Sequence, residues 1–415
     1  MIALLALFLL TTSACAQSFN PQAAATAGVH DLWWKSGESL AWNPATLSPN
    51  RGFRMSFEGL SFGAGIANNA FSVRYWNNNI AGDHFLTDED KQDILNRIPD
   101  GGLRGYYQTS APLVGFTYNR FGARVALESA GEAALPRDLA AVILYGNELN
   151  YPYGLADFAG ESQSLMDWSI GFGYRVEQEQ IPDLHLGVGF HFYQGLALAK
   201  VARSEGDLTV TDSVLQAAAV IHTITSDRGD GVGFDLGAMA VISERWEVGL
   251  AVQQISSRIS WRVDDNDQIV FYTDSAGIIV DSLNNDNYRE RALHYSDTSY
   301  TGGYADTHLP LTVQLNARFA AARRWVLLGD ATIRTESTSR GPAGLEAGVA
   351  AEWQPRRFLV LQSGVTVGGP WRSRFAIGGG LRFGAYECDL GWSWNGGLIN
   401  AAHGIGFGLS QRLNF

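Results

Sequence analysis

The sequence has 415 residues, a formal net charge of −12 and only 17 % charged residues. The acidic balance argues against nucleic acid as a partner, and 2 cysteines in so long a chain cannot supply a disulfide scaffold. The 47 glycines, 12 Trp, 15 Tyr and 21 Phe suit a curved sheet with aromatic girdles.

Residues 1–16 read as a secretory signal. Ile2 to Leu10 form a short apolar core, and Ala14-Cys15-Ala16 supplies the small-x-small pattern of a cleavage site. No Lys or Arg precedes the core. Cys15 is also open as a lipidation site, but Thr12 stands where such sites prefer Leu, so cleavage after Ala16 is the preferred reading. Cys388 then remains alone and no intrachain disulfide can form. No run approaches the ~18–20 consecutive apolar residues of a membrane helix. An exported chain of this kind either stays soluble or spans a membrane as a closed barrel, which satisfies every backbone hydrogen bond internally.

Successive side chains of a strand point to opposite faces, so a membrane barrel repeats apolar residues at every second position. Trp168, Ile170, Phe172, Tyr174 and Val176 oppose Ser169, Gly171, Gly173 and Arg175. Leu184, Leu186, Val188, Phe190 and Phe192 oppose His185, Gly187, Gly189 and His191. Residues 309–319, 371–383 and 386–394 repeat the pattern. So does the C-terminal stretch, where Ile405, Phe407, Leu409, Leu413 and Phe415 share a face interrupted only by Gln411. A soluble sandwich or propeller also alternates. The glycine- and arginine-rich polar face, with aromatics near strand ends at Trp325, Trp371 and Trp394, favours a membrane barrel.

Connections alternate in length. Short ones fall near 119–122, 178–182, 243–244, 320–323, 354–356 and 383–385. Longer or more polar ones fall at 78–111, 131–162, 201–230, 264–307, 336–341, 369–370 and 395–402. Six turns and seven loops join about fourteen antiparallel strands, with short turns in the periplasm and long loops outside. Phe53 to Phe57 also alternates and breaks this parity; it belongs to the N-terminal element or reflects a strand pair merged elsewhere. Two outer loops carry short helices. Thr87 and Asp90 form a capping box ahead of Ile94, Leu95 and Ile98. Pro136 and Gly146 bracket an apolar stretch, Leu139 to Leu144. These helices either fold over the mouth or pad the outer surface.

Residues 24–47 read AATAGVHDLWWKSGESLAWNPATL. This resembles the N-terminal plug of the long-chain fatty-acid transporter superfamily of outer-membrane barrels. The match is Asn43-Pro44-Ala45, with Asp31 upstream. The Trp42-Asn43-Pro44-Ala45 form is similar to secretion-associated barrels of the PorV type. Asn68-Asn69, residues 86–95 and residues 136–148 resemble an uncharacterised branch of the group. The resemblance implies a fourteen-stranded barrel, spanning 51–415, closed by a plug at 17–50. It also implies passive passage of hydrophobic molecules inward or sideways into the membrane. No counterpart of a fatty-acid carboxylate site is recognisable.

The polar face supplies the lumen candidates His185, His191, Arg318, Asp330, Arg334, Arg372, Arg374 and Arg382. The two histidines lie about 20 Å apart along one strand and cannot share a metal. The arginines either orient an anionic headgroup or form a ladder that fills the barrel, meeting Asp330, Glu346 or Asp389. The acidic stretch Asp264, Asp265, Asn266, Asp267 with Asp281, Asn284, Asn285 and Asp286 reads as a solvated loop rather than a calcium site, because its spacing fits no EF-hand. No cofactor or metal is expected, and no catalytic constellation is forced by spacing. The expected function is passive transport or binding of hydrophobic or amphiphilic small molecules in the outer membrane of a Gram-negative-type bacterium. The alternatives are a non-transport scaffold of the PorV type and a lipid hydrolase with a Ser–His or Asp–His pair near the rim. Expected partners are outer-membrane lipid, a hydrophobic ligand, and the barrel-assembly machinery, which would read Leu409, Leu413 and Phe415.

Overall fold

A computed structural model describes residues 20–49, 53–81, 85–146, 148–177, 183–210, 214–263, 265–273, 278–279, 293–299, 303–336, 343–369 and 372–415, without the side chains of 208, 210, 214–219 and 265–299. The signal segment, Trp371 and the side chains of the acidic loop lie outside this set.

Fourteen antiparallel strands close into one barrel. They are β1 (Met55–Glu58 and Phe62–Asn68), β2 (Leu103–Tyr118), β3 (Phe121–Leu135), β4 (Ala159–Val176) and β5 (Leu184–Val210). Next come β6 (Val214–Ser226 and Arg228–Val241), β7 (Trp246–Arg262 and Asp265–Thr273) and β8 (Leu293–Ser299, Tyr304–His308 and Thr312–Ala322). The last six are β9 (Trp325–Arg334), β10 (Gly344–Arg356), β11 (Leu359–Gly368), β12 (Ser373–Phe383), β13 (Tyr386–Asn395) and β14 (Gly404–Asn414). Closure runs through β1 and β14, with Phe57 opposite Leu413 and Ala64 opposite Phe407. Strands β9, β11 and β13 have 10 residues each, and β12 and β14 have 11. About 9–11 tilted residues cross a bilayer. Among the described residues no helix is long and apolar enough to do so.

Exposure is inverted relative to a water-soluble protein. Ile170, Val188, Leu236, Val349 and Ile377 face outward and are exposed, whereas Arg124, Asp167, His191, Asp235 and Ser410 face inward and are buried. Water would penalise such an apolar wall, and lipid would not. Aromatic pairs ring the mouth that carries the short turns. Phe121 meets Phe172 at 4.8 Å between centroids, Trp246 meets Phe319 at 4.5 Å and Trp325 meets Trp353 at 5.6 Å. The amphipathic Trp rings at this level match the headgroup region of a bilayer.

The first strand differs from the sequence expectation. Residues 73–80 are helical, and the alternating stretch at Phe53 to Phe57 enters β1, restoring the parity it seemed to break. Strand β1 is interrupted at Gly59–Ser61, and Gln411 explains its own polar place on the outward face of β14. Its Nε2 donates to the Leu60 carbonyl at 2.8 Å and its backbone N–H donates to Ser61 Oγ at 3.2 Å. Backbone groups left open by the interruption are thereby satisfied at a surface without water.

Two expected loops are strands. Residues 198–210 of β5 pair with 215–226 of β6, and Asp267 to Tyr272 of β7 pair with both β6 and β8. These ladders extend the wall beyond the length a bilayer needs. Their polarity read as loop because a strand outside lipid has no apolar face to alternate.

The loop helices are Asp88–Arg97 and Arg137–Tyr145. Thr87 caps the first through Asp90, and Gly146 ends the second at φ 78°. Ile94 and Ile98 pack with Ala140, Phe71 and Tyr75, next to Leu103 and Leu135 at the strand ends. The helices are thus fastened to each other and to the wall.

Candidate functional site

Residues 20–49 occupy the bore. They fold as three 3₁₀ turns, Pro21–Thr26, Gly37–Ala41 and Pro44–Leu47. The Asn-Pro-Ala motif has a local explanation. The Asn43 side chain accepts from the Ala45 N–H at 3.0 Å, and Pro44 begins the turn with its φ already set. Ala45 is small enough to touch the wall, and Trp42 stacks on His30 at 5.1 Å between centroids. Asp31, Trp42, Asn43, Pro44 and Ala45 are all buried.

Inward-facing glycines make the seat. A Cβ on Gly187 would lie 2.2 Å from the Ala45 nitrogen, and one on Gly364 would lie 2.3 Å from the Thr26 oxygen. One on Gly391 would lie 2.3 Å from the Ala25 nitrogen. Any side chain at these positions would drive the N-terminal segment off the wall. The glycines that marked the polar face in sequence are therefore a track fitted to backbone.

Polar side chains complete the attachment. Asp31 pairs with Arg318 at 2.9 Å, and the Arg318 guanidinium lies 4.4 Å from the Trp33 ring. Asp330 accepts from Gln314 at 2.6 Å and Asn316 at 2.9 Å and faces His30 at 3.3 Å. Arg334 meets Glu346 at 3.2 Å, and Arg374 donates to the Ala27 carbonyl at 3.4 Å. Arg382 holds Asp389 at 2.7 Å. His185 Nδ1 lies 2.9 Å from Ser48 Oγ, with Asp183 3.4 Å from Nε2. This Ser–His contact joins the end of the plug to β5, with His185 2 % exposed. His191 sits between Asp167 at 2.9 Å and Asp235 at 3.1 Å. Its two nitrogens face different carboxylates, and among the described residues no three metal-ligating side chains converge.

Arg372 departs from the expectation. It is exposed, with φ 58°, in the tight link between β11 and β12. The alternation was extrapolated one residue past the strand, where a left-handed turn redirects the side chain. The strongest anchor was missed. Arg124 meets Glu38 of the plug at 2.5 Å, Asp167 at 2.8 Å and Glu128 at 3.0 Å. Its signal lay in the inward parity of Arg124, Ala126, Glu128 and Ala130.

On the long-loop side of the plug the bore changes character. Leu165, Tyr193, Leu198, Ile259, Trp261 and Leu309 form a buried apolar cluster. Trp261 donates to Thr307 Oγ1 at 2.8 Å and packs against Gly195 and Gly229. Beside it, beginning at Pro310, a polar chamber of about 70 Å³ is lined by His30, Trp42, Gln253, Asp330 and Arg334. That volume holds a few waters, whereas a small-molecule site takes ~300–1,000 Å³. Most of residues 20–49 are buried beside this chamber.

Residues 44–228 match the profile of a family described as a family of unknown function (DUF5723). No curated protein matches the sequence. Among solved structures the fold is similar to a FadL homologue of Pseudomonas aeruginosa, with a TM-score of 0.56, 13 % identity, and coverage of 97 % of this chain and 99 % of that one. It is similar to the toluene transporter TbuX of Ralstonia pickettii, with a TM-score of 0.54, 12 % identity, and coverage of 96 % and 99 %. It is also similar to the toluene transporter TodX of Pseudomonas putida, with a TM-score of 0.52, 12 % identity, and coverage of 98 % and 100 %. The chain has a FadL-like fold.

Proposed function

We propose that this FadL-like barrel lies in the outer membrane of a Gram-negative-type bacterium and passively passes hydrophobic or amphiphilic small molecules; two of its structural neighbours are named as toluene transporters. The observation that carries this reading is the junction inside the bore. Leu309 belongs to the apolar cluster and Pro310 to the polar chamber, so one molecule entering from the long loops meets an apolar wall and then hydrogen-bonding groups. An amphiphile matches that order, with its apolar part on Trp261 and its polar end near Gln253 and Arg334. Onward movement requires residues 20–49 to shift, because they fill the section beyond the chamber. The plug and its glycine seat are then a gate.

The motif shared with secretion-associated barrels does not favour a scaffold role, because Trp42 to Ala45 are engaged in seating the plug. The outward Leu409, Leu413 and Phe415 on the last strand fit recognition during assembly. Phe415 also fastens the seam, its N–H donating to the Met55 carbonyl at 2.8 Å.

Whole cells carrying the protein in their outer membrane should take up labelled toluene and decanoate several-fold faster than a deletion strain. Sucrose, too polar for the cluster, should enter no faster. Equal uptake of every solute with and without protein would end the transport reading.

A further inference from the structure

The mouth ringed by short turns holds a second space, on the opposite side of the plug from the chamber. It measures about 670 Å³ and lies between the plug end at Ser48–Pro49 and the rims of β2 to β5. Lys35, Arg54, Arg120, Arg175 and His185 line it, against one carboxylate, Asp183. Asp183 is already engaged, 2.5 Å from Arg175 and 3.4 Å from His185. Arg54 and Arg120 are exposed, and among the described residues no carboxylate lies within ion-pair distance of either guanidinium, while the Arg54 backbone N–H donates to the Phe415 carbonyl oxygen at 2.7 Å. Lys35 is 4 % exposed and donates to the Pro49 carbonyl at 3.0 Å, which places a cation at the floor. The outer edge is different in kind. Phe121 and Phe172 pair at 4.8 Å on the lipid-facing side, and Phe121 is 62 % exposed. The Arg120 guanidinium, 5.5 Å from the Tyr174 ring, stands at the boundary between the two.

We propose that this mouth is a binding site for an acidic amphiphile, taking its carboxylate or phosphate headgroup between Arg54, Arg120 and Lys35 while its tail lies along Phe121 and Phe172. Arginine forks suit both oxyanions. The position at the aromatic ring of the barrel is where headgroups of that membrane face stand. A free inorganic anion would leave the aromatic edge unused, and a neutral lipid would leave Arg54 and Arg120 without an anion. The site stands whether or not the barrel transports. Its ligand has two sources with one chemistry: an anionic phospholipid of the bilayer, or an acid carried through the bore.

Native mass spectrometry on protein from nanodiscs of equal phosphatidylglycerol and phosphatidylcholine tests the first source. Wild type should retain phosphatidylglycerol by about three- to tenfold over phosphatidylcholine, the range two part-exposed charge pairs supply. Arg54→Gln with Arg120→Gln should bring the ratio close to parity, and Arg54→Lys with Arg120→Lys should keep most of it. Displacement of a fluorescent dodecanoate in neutral detergent tests the second source on the same proteins. Loss in the Gln variant of either preference supports the site and names its source. Unchanged binding in both arms overturns it. Raising salt from about 0.1 M to about 1 M on wild type gives a check that needs no variant, because screening should erase the preference. A salt-insensitive ratio also overturns it.

Discussion

Replacing Gly187 and Gly391 together by alanine should release residues 20–49 from the bore while the barrel stays folded. Each new Cβ would fall 2.2–2.3 Å from a backbone nitrogen of the plug, and neither wall nor turn can yield that far. Overpacking of this kind costs about 1–3 kcal/mol per site, and sites on separate strands add. Gly187 faces Ala45 and Gly391 faces Ala25, so the two substitutions push on different turns of the plug. Proteolysis of the reconstituted protein should cut within 20–49 in the variant and not in wild type, while gel mobility still shifts on heating. Gly329→Ala is the control, because a Cβ there meets only the Ala317 side chain at 3.9 Å. A double variant as resistant as the control would remove the glycine track from the account.

Arg124→Met should be the most destabilising single substitution of a polar group in the bore. It takes the guanidinium away from Glu38, Glu128 and Asp167, all at or below 8 % side-chain exposure, although His191 still holds Asp167 at 2.9 Å. Removing one partner of a buried charge cluster costs about 3–5 kcal/mol, because the remaining charges are left without compensation. Adding Glu38→Gln should recover part of that loss by taking away one orphaned carboxylate. Arg382→Met should cost less, since it takes the arginine from Asp389 while Arg412 still holds Glu387 at 2.5 Å. Unfolding temperature followed by gel mobility ranks the variants. An Arg124→Met protein that melts with wild type would show that the cluster contributes specificity and not stability.

Much of the wall was legible because lipid enforces one rule on every residue that crosses it. Outward positions such as Ile170, Val188 and Ile377 must be apolar, so the period-two signal survives in a single sequence. The rule lapses outside lipid, and there the reading failed. The ladders of β5 to β8 within 201–230 and 264–307 looked like loops, and Phe53 to Phe57, which enters the interrupted β1, seemed to break the parity. The Asn-Pro-Ala motif stood out in the sequence through its family resemblance, and its capping geometry is local. What holds the plug was not visible. Arg124 and Glu38 are 86 residues apart, and their 2.5 Å contact exists only where residues 20–49 lie against β3. The glycine track is a similar case. Each glycine was seen as a small inward residue, but only the three-dimensional register shows that backbone lies against it.

Ion conductance of the wild-type protein in a planar bilayer tests most directly whether residues 20–49 stopper the bore. The account predicts a silent membrane, with no steady conductance steps, because a chamber of about 70 Å³ ends against packed plug. Stable open-pore currents from the intact protein would contradict it.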